Sequence, residues 1–280
     1  MIYAVSDLHV DFRENMEWVW SLSSHRYLND ALIVAGDVSD NLQRLELTLV
    51  ALRERFAAVM FVPGNHELWV RNGNWTDSWE KFQHIQGLCH RLDILTEPTK
   101  FSSASGPVWL VPLYSWYIRP QDGDGSLFAE KKGEDPEQAM WADNYFVRWP
   151  KRDDERAPAH YLLELNERYL DLRLDGPIVS ASHFLPRQDL IFSTDAERSA
   201  NPGVNRDAFP TFNFSRVAGC RQLDEQIRAL GSSVHVYGHQ HRNRWRTIDG
   251  VLYVSNCLGY PRERGSVLDD NPHAGLVKVY

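Results

Sequence analysis

Residues 31–40 read Ala31-Leu32-Ile33-Val34-Ala35-Gly36-Asp37-Val38-Ser39-Asp40. Five apolar residues in succession, with no polar alternation, predict a short strand, Ala31–Val34, buried on both faces. Gly36 then lets the chain turn sharply, and three polar residues follow within four positions. The same grammar recurs along the chain. Ile2–Val5 is followed by Ser6-Asp7-Leu8-His9, Val59–Val62 by Gly64-Asn65-His66-Glu67, Pro177–Ala181 by Ser182-His183, and Val234–Tyr237 by Gly238-His239-Gln240-His241. Polar groups thus gather beyond the carboxyl ends of strands, the edge at which open α/β sheets build ligand sites.

Working outward, Val108–Val111 and Leu276–Tyr280 also read as strands. Arg244–Ile248 and Val251–Ser255 flank Asp249-Gly250, a strong hairpin signal. Leu42, Leu45, Leu49, Leu52 and Phe56 recur at helical spacing. Thr76–Leu92 opens with Asp77 and Glu80 placed like a capping box, and Ala159–Leu174 carries one apolar face. Strands alternating with helices predict an α/β layered domain. Between about 114 and 174 the pattern breaks into glycine, charge and aromatic clusters that include Trp116 and Trp141. This is read as an insertion in a single domain spanning 1–280, either self-packed or walling the site as a cap.

The 280 residues are 43% hydrophobic and 24% charged, enough apolar material for a sizeable core. A net charge of −8 argues against a general nucleic-acid binder, which needs a basic surface to displace counterions. Cys89, Cys220 and Cys257 are scattered and without metal-type spacing, which suits a reducing, cytoplasmic setting. The amino-terminal segment reads as a strand rather than a signal peptide, and no apolar run is long enough for a membrane span.

In extended backbone residues i and i+2 point the same way, so Asp7 with His9, and His239 with His241, can each converge on one centre. A lone Asx after a strand is ordinarily a turn or capping residue. Five such blocks together are not. The remaining histidines, His25, His84, His90, His160, His235 and His273, take structural readings, and Ser182 lacks the strand–turn–helix setting of a hydrolase nucleophile.

In this order the blocks D-x-H, G-D-x-x-D, G-N-H-E, H and G-H-x-H resemble the calcineurin-like metallophosphoesterase superfamily. The resemblance implies a four-layer α/β/β/α sandwich of two mixed sheets with flanking helices. It also implies two divalent or mixed-valence transition-metal ions. Asp7, His9 and His241 would hold one, Asn65, His183 and His239 the other, and Asp37 would bridge them. Nitrogen and oxygen donors suit manganese, iron, zinc, nickel or cobalt.

The implied reaction is hydrolysis of a phosphate ester, monoester or diester, by metal-activated water. The expected partner is a small phosphorylated metabolite or nucleotide. His66 would be the general acid and Asp40 the carboxylate that orients it. Phosphoprotein phosphatases of this superfamily grip phosphate with an arginine where this chain has Asn41, so Arg187 or Arg262 is expected to replace it. A non-catalytic scaffold of the same fold could shed ligands, and here the set is complete. A nuclease would want a basic groove.

Overall fold

The computed structural model describes residues 1–103, 106–151, 156–200, 209–263 and 275–280. In chain order the strands are β1 (Ile2–Val5), β2 (Ala31–Val34), β3 (Ala58–Phe61), β4 (Thr99–Ser103), β5 (Gly106–Pro112), β6 (Ile178–Ala181), β7 (Val234–Tyr237), β8 (Arg244–Ile248), β9 (Val251–Ser255) and β10 (Val277–Lys278). The helices are α1 (Arg13–Ser21), α2 (Leu42–Arg53), α3 (Ser78–Arg91), α4 (Asp143–Phe146), α5 (Pro158–Leu170), α6 (Asp195–Ala200) and α7 (Gln222–Ala229).

Two mixed sheets form. One has the order β10-β1-β2-β3, parallel except for β10; the other has β4-β5-β6-β7-β9-β8, with antiparallel strands at both edges. Side-chain parity shows how they stack. Ala31, Ile33, Met60 and Val62 share a core with Val108, Leu110, Val179 and Val236 of the second sheet. Leu32, Val34, Val59 and Phe61 face the other way, toward Val19 of α1 and Leu45 and Leu49 of α2. Each fully buried Leu or Ile contributes about 1.5–3 kcal/mol. Leu162 of α5 and Leu223 and Ile227 of α7 join the first core, so helices flank both sheets in the expected four-layer α/β/β/α arrangement.

Helix α2 buries Leu45, Leu49 and Leu52 and is capped by Asn41, whose side chain accepts from Arg44 N at 3.1 Å. It stops at Arg53, so Phe56 is buried in the following turn rather than on the helix. In α3 Asp77 caps Glu80 N at 2.8 Å, while Glu80 reaches back to Thr76 N at 2.7 Å, one residue before the cap. Helix α5 opens on Pro158 and ends at Leu170, four residues short of the expected end. Within 114–174 no residue joins a named strand among those described, and Trp116 packs against Trp149 and Phe184.

Because β1, β2, β3, β6 and β7 run parallel to their sheet neighbours, their carboxyl ends emerge along the sheet edges. Backbone hydrogen bonds then stitch the emerging loops together. Asp7 N donates to Gly36 O at 2.9 Å, His9 N to Asp37 O at 2.9 Å, and Gly238 N to His183 O at 2.9 Å. His239 N donates to Asp7 Oδ1 at 3.0 Å, joining the loop after β7 to the loop after β1.

Candidate metal centre

The convergence of Asp7 with His9, and of His239 with His241, has a different cause from the one expected. These residues lie past the strands, in left-handed backbone, with φ of 51°, 41°, 73° and 52°; Asp37 is at 54°. Five of the eight non-glycine residues with positive φ among those described are therefore candidate ligands. Asp and His tolerate this region better than most residues, and such strain gathers at functional sites. Neighbouring glycines are needed on steric grounds. A Cβ on Gly36, itself at φ +82°, would lie 2.4 Å from His183 Nδ1, and one on Gly64 would lie 2.2 Å from Asp37 Oδ1.

Two ligand clusters result. Donor atoms of Asp7, His9, Asp37 and His241 lie within 4.8 Å of one another, as do those of Asp37, His183 and His239. Asp37 belongs to both. Asn65 Oδ1 joins the second, 3.2 Å from His183 Nε2. All seven expected ligands thus meet in one place.

Three of the four histidines, His183, His239 and His241, are oriented by the far nitrogen. Because a carbonyl can only accept, His183 Nδ1 donates to Ala35 O at 2.8 Å and His239 Nε2 to Val217 O at 2.8 Å. His241 Nδ1 lies 2.8 Å from Glu263 Oε2. This turns the opposite nitrogens inward, where a bound metal would displace any proton and take their lone pairs, the arrangement that metal-binding histidines adopt.

Burial disfavours charge throughout, and neighbours decide the outcome. Burial and the adjacent His183 push His239 down to about 3. At His183 burial is outweighed by Asp37, which carries it up to about 9. At His241 burial is outweighed by Asp7 and Glu263, which take it to about 10. The buried carboxylates therefore attract cations strongly, and imidazole, carboxylate and amide oxygen without thiolate suit first-row transition metals. The residues fit a pair of such ions.

A buried carboxylate holds the loops in register. Glu67 accepts from the backbone amides of Asp37 (2.9 Å), Val38 (2.7 Å), Ser39 (3.0 Å) and Gly64 (2.7 Å). The fourth residue of Gly64-Asn65-His66-Glu67 thus fastens the loop after β2 to the loop after β3.

The sequence profile of the calcineurin-like phosphoesterases matches residues 1–243. The chain belongs to that family. It is a hydrolase acting on phosphoester bonds. An [acyl-carrier-protein] phosphodiesterase, PptH of Mycobacterium tuberculosis, is 29% identical over 274 residues, covering 94% of this chain and 78% of the relative. The crystal structure of that organism's phosphopantetheinyl hydrolase (PptH) superposes with a TM-score of 0.76 at 26% identity. The match covers 99% of this chain and 95% of the other. No described helix of the phosphoesterase is long and apolar enough to cross a membrane.

In this phosphoesterase His66 stands at the centre, its Nε2 3.8 Å from Asp37 Oδ2 and its ring stacked on Trp69 at 3.8 Å. Asp40, expected to orient His66, is engaged elsewhere. Its carboxylate takes Arg71 (2.6 and 3.1 Å) and Asn72 (2.7 Å), because Arg71 reaches across Trp69 to it. Trp69, not Asp40, is the group packed on the imidazole.

Arg187 is likewise elsewhere, held by Asp189 (2.8 Å), Asp224 (3.0 Å) and Asp249 (3.5 Å). Three carboxylates saturate its guanidinium. Arg262 does line the cavity over the ligands, lying over the Tyr260 ring at 5.2 Å. His235, read as structural, is packed between the hydroxyls of Ser180 (2.9 Å) and Ser182 (3.0 Å). His273 falls outside the described residues.

Sequence reasoning missed Trp69, Glu263, Tyr260 and Asp143. Glu263 and Tyr260 follow a strand only after an irregular turn, and Asp143 sits in the 114–174 stretch, where no motif marks it. The cavity above the ligands measures about 440 Å³. Its floor is polar, with Asp37, His66 and His239. Its wall is aromatic, with Trp141 of the 114–174 stretch stacked on Phe212 at 5.4 Å.

Proposed function

We propose that this phosphoesterase cleaves a phosphodiester, and that its substrate class is the phosphodiester joining a phosphopantetheine arm to a carrier protein. The observation that carries this reading is the joining of two features. Asp37 is shared by two ligand clusters, and the cavity over it is walled by Trp141, Phe212 and Phe214. A compact metabolite would need only the polar floor. A long arm of amides and methylenes also needs the aromatic wall, and the PptH relatives are named for such a substrate.

In this reading Asp7, His9, Asp37 and His241 hold one metal ion, and Asp37, Asn65, His183 and His239 hold the other. Two ions, when bound, supply Lewis-acid polarisation of phosphoryl oxygens and activation of water. The chain's own residues do the rest. His66 delivers a proton from Nε2 to the departing alkoxide, a leaving group that needs one at neutral pH. Trp69 holds that imidazole by stacking. His183 Nδ1–H and His239 Nε2–H stay donated to the Ala35 and Val217 carbonyls, which aims the opposite ring nitrogens at the ligand clusters. Arg262 is placed to receive phosphate oxygens at the rim, where a guanidinium fork matches their geometry.

The test is intact-protein mass spectrometry of a holo carrier protein incubated with the Mn²⁺-loaded enzyme. Loss of the arm together with its phosphate is expected, alongside faster turnover of an aryl phosphodiester than of the corresponding monoester. An intact carrier protein together with a preference for monoesters would overturn the substrate assignment and favour a small phosphorylated metabolite.

A further inference from the structure

Asp143 opens α4, within the stretch that departs from the strand grammar, and is 3% exposed. Its Oδ1 accepts from Asn65 Nδ2 at 2.9 Å and from Trp69 Nε1 at 2.6 Å. Its Oδ2 is buried with no hydrogen-bond partner among the described residues. Leaving one oxygen of a carboxylate unpartnered in the interior is costly, so the side chain is retained against its own desolvation.

The backbone brings this carboxylate to the site. Val70 N donates to Phe146 O at 2.7 Å and Ser78 N to Arg148 O at 2.7 Å, strapping residues 143–148 along the loop after β3. Trp69 and Phe146 pack at 5.2 Å in the same seam.

An amide side chain has two ends, and metals take the oxygen. With Nδ2 donated to Asp143, Asn65 Oδ1 faces His183 Nε2 at 3.2 Å. Reversed, the amide would set its carbonyl against the carboxylate and its NH₂ toward the ligand cluster, losing one hydrogen bond and gaining one repulsion. An anion on the NH₂ side also draws electron density toward Oδ1, which raises its basicity as a ligand. The same Oδ1 of Asp143 fixes the Trp69 indole, and Trp69 carries His66.

We propose that Asp143 is a positioning residue that locks the Asn65 amide with its oxygen toward Asp37, His183 and His239, and that through Trp69 it also sets the plane on which His66 rests. This builds on the two-metal reading above. It gives the inserted stretch a part in the chemistry as well as in substrate choice.

The test compares wild type, Asp143→Ala and Asp143→Asn in two measurements. The first is calorimetric titration of metal-free enzyme with Mn²⁺ alone. Wild type takes up two ions; Asp143→Ala keeps one affinity and loses about 10- to 100-fold in the other, the usual effect of removing a partner of a ligand. Asp143→Asn, whose Oδ1 still accepts both donors, recovers most of that loss.

The second measurement is hydrogen exchange by NMR in metal-free protein. It follows the Asn65 side-chain amide and the Trp69 indole, assigned by their absence in Asn65→Asp and Trp69→Phe. Both protons are slow to exchange in wild type and in Asp143→Asn, and fast in Asp143→Ala. Unchanged affinity for both ions in Asp143→Ala, or unchanged protection there, overturns the proposal. So does an Asp143→Asn that behaves like Asp143→Ala. A wild type that binds no Mn²⁺ would sink the two-metal reading instead, while the exchange data still decide the role of Asp143.

Discussion

Asp37 carries more of the centre than any other side chain. Its Oδ2 lies 3.4 Å from His183 and 3.8 Å from His66, and its Oδ1 accepts the His66 amide at 2.9 Å. At this scale the proposed ligands and the proposed acid can be told apart. On the two-metal reading His239→Ala removes a metal donor, so metal content by elemental analysis and activity should fall together. On the same reading His66→Asn removes a proton donor and no ligand, so metal content should hold while turnover of an alkyl diester falls about 10²- to 10⁴-fold. The loss should shrink on a nitrophenyl diester, whose leaving group needs no proton. A His66→Asn enzyme that loses its metals would make His66 a ligand.

The expected ligand residues meet because each sits directly behind a strand with an unambiguous apolar signature. What lay outside the motifs was harder to read. Strand β4, Thr-Lys-Phe-Ser-Ser, has no apolar run and is ordered by pairing along β5. Helix α1 follows Phe12, which supplies no side-chain cap, and α7 follows Arg221 with only Leu223 and Ile227 buried, so neither advertises its start. The partners of Asp40 were hidden for a related reason: proximity in the motif could not reveal that Arg71, 31 residues on, donates to its carboxylate.

Helix α3 supplies the prediction at the level of elements. Lys81 is 1% exposed, and its ammonium donates to Asp40 O and Trp69 O, each at 2.7 Å, tying together the two loops that flank His66. Burial lowers its pKa from 10.5 to about 8. Between those values the unfolded chain binds more protons than the native one, so this group makes stability rise with pH across that window. Below about pH 8 it is charged in both states and its full cost is present, about 3 kcal/mol at one unit per 1.4 kcal/mol. Denaturant titrations of wild type and Lys81→Met from pH 7.5 to 10 should show wild type gaining relative to the variant. Parallel curves would mean that the lysine titrates normally.

For the molecule as a whole, the polar floor comes from loops behind the strands of the two sheets and the aromatic wall from the 114–174 stretch and the segment around Phe212 and Phe214. Trp141 touches both, packing on Phe212 and meeting the His239 ring edge-on at 5.7 Å. Trp141→Ala should therefore cost about tenfold more in kcat/KM on the carrier-protein substrate than on a minimal aryl diester, the scale of one aromatic contact. Equal losses on both would assign the wall a purely architectural part.

His9 and His241 stand 2.9 Å apart across 232 residues of sequence. A chain still being synthesised has Asp7, His9, Asp37 and Asn65 in hand long before His239 and His241 exist, and pairings this distant form late because loop closure opposes them. On the two-metal reading, neither ion would find its complete donor set until the second sheet has closed, so metal uptake would mark the end of folding.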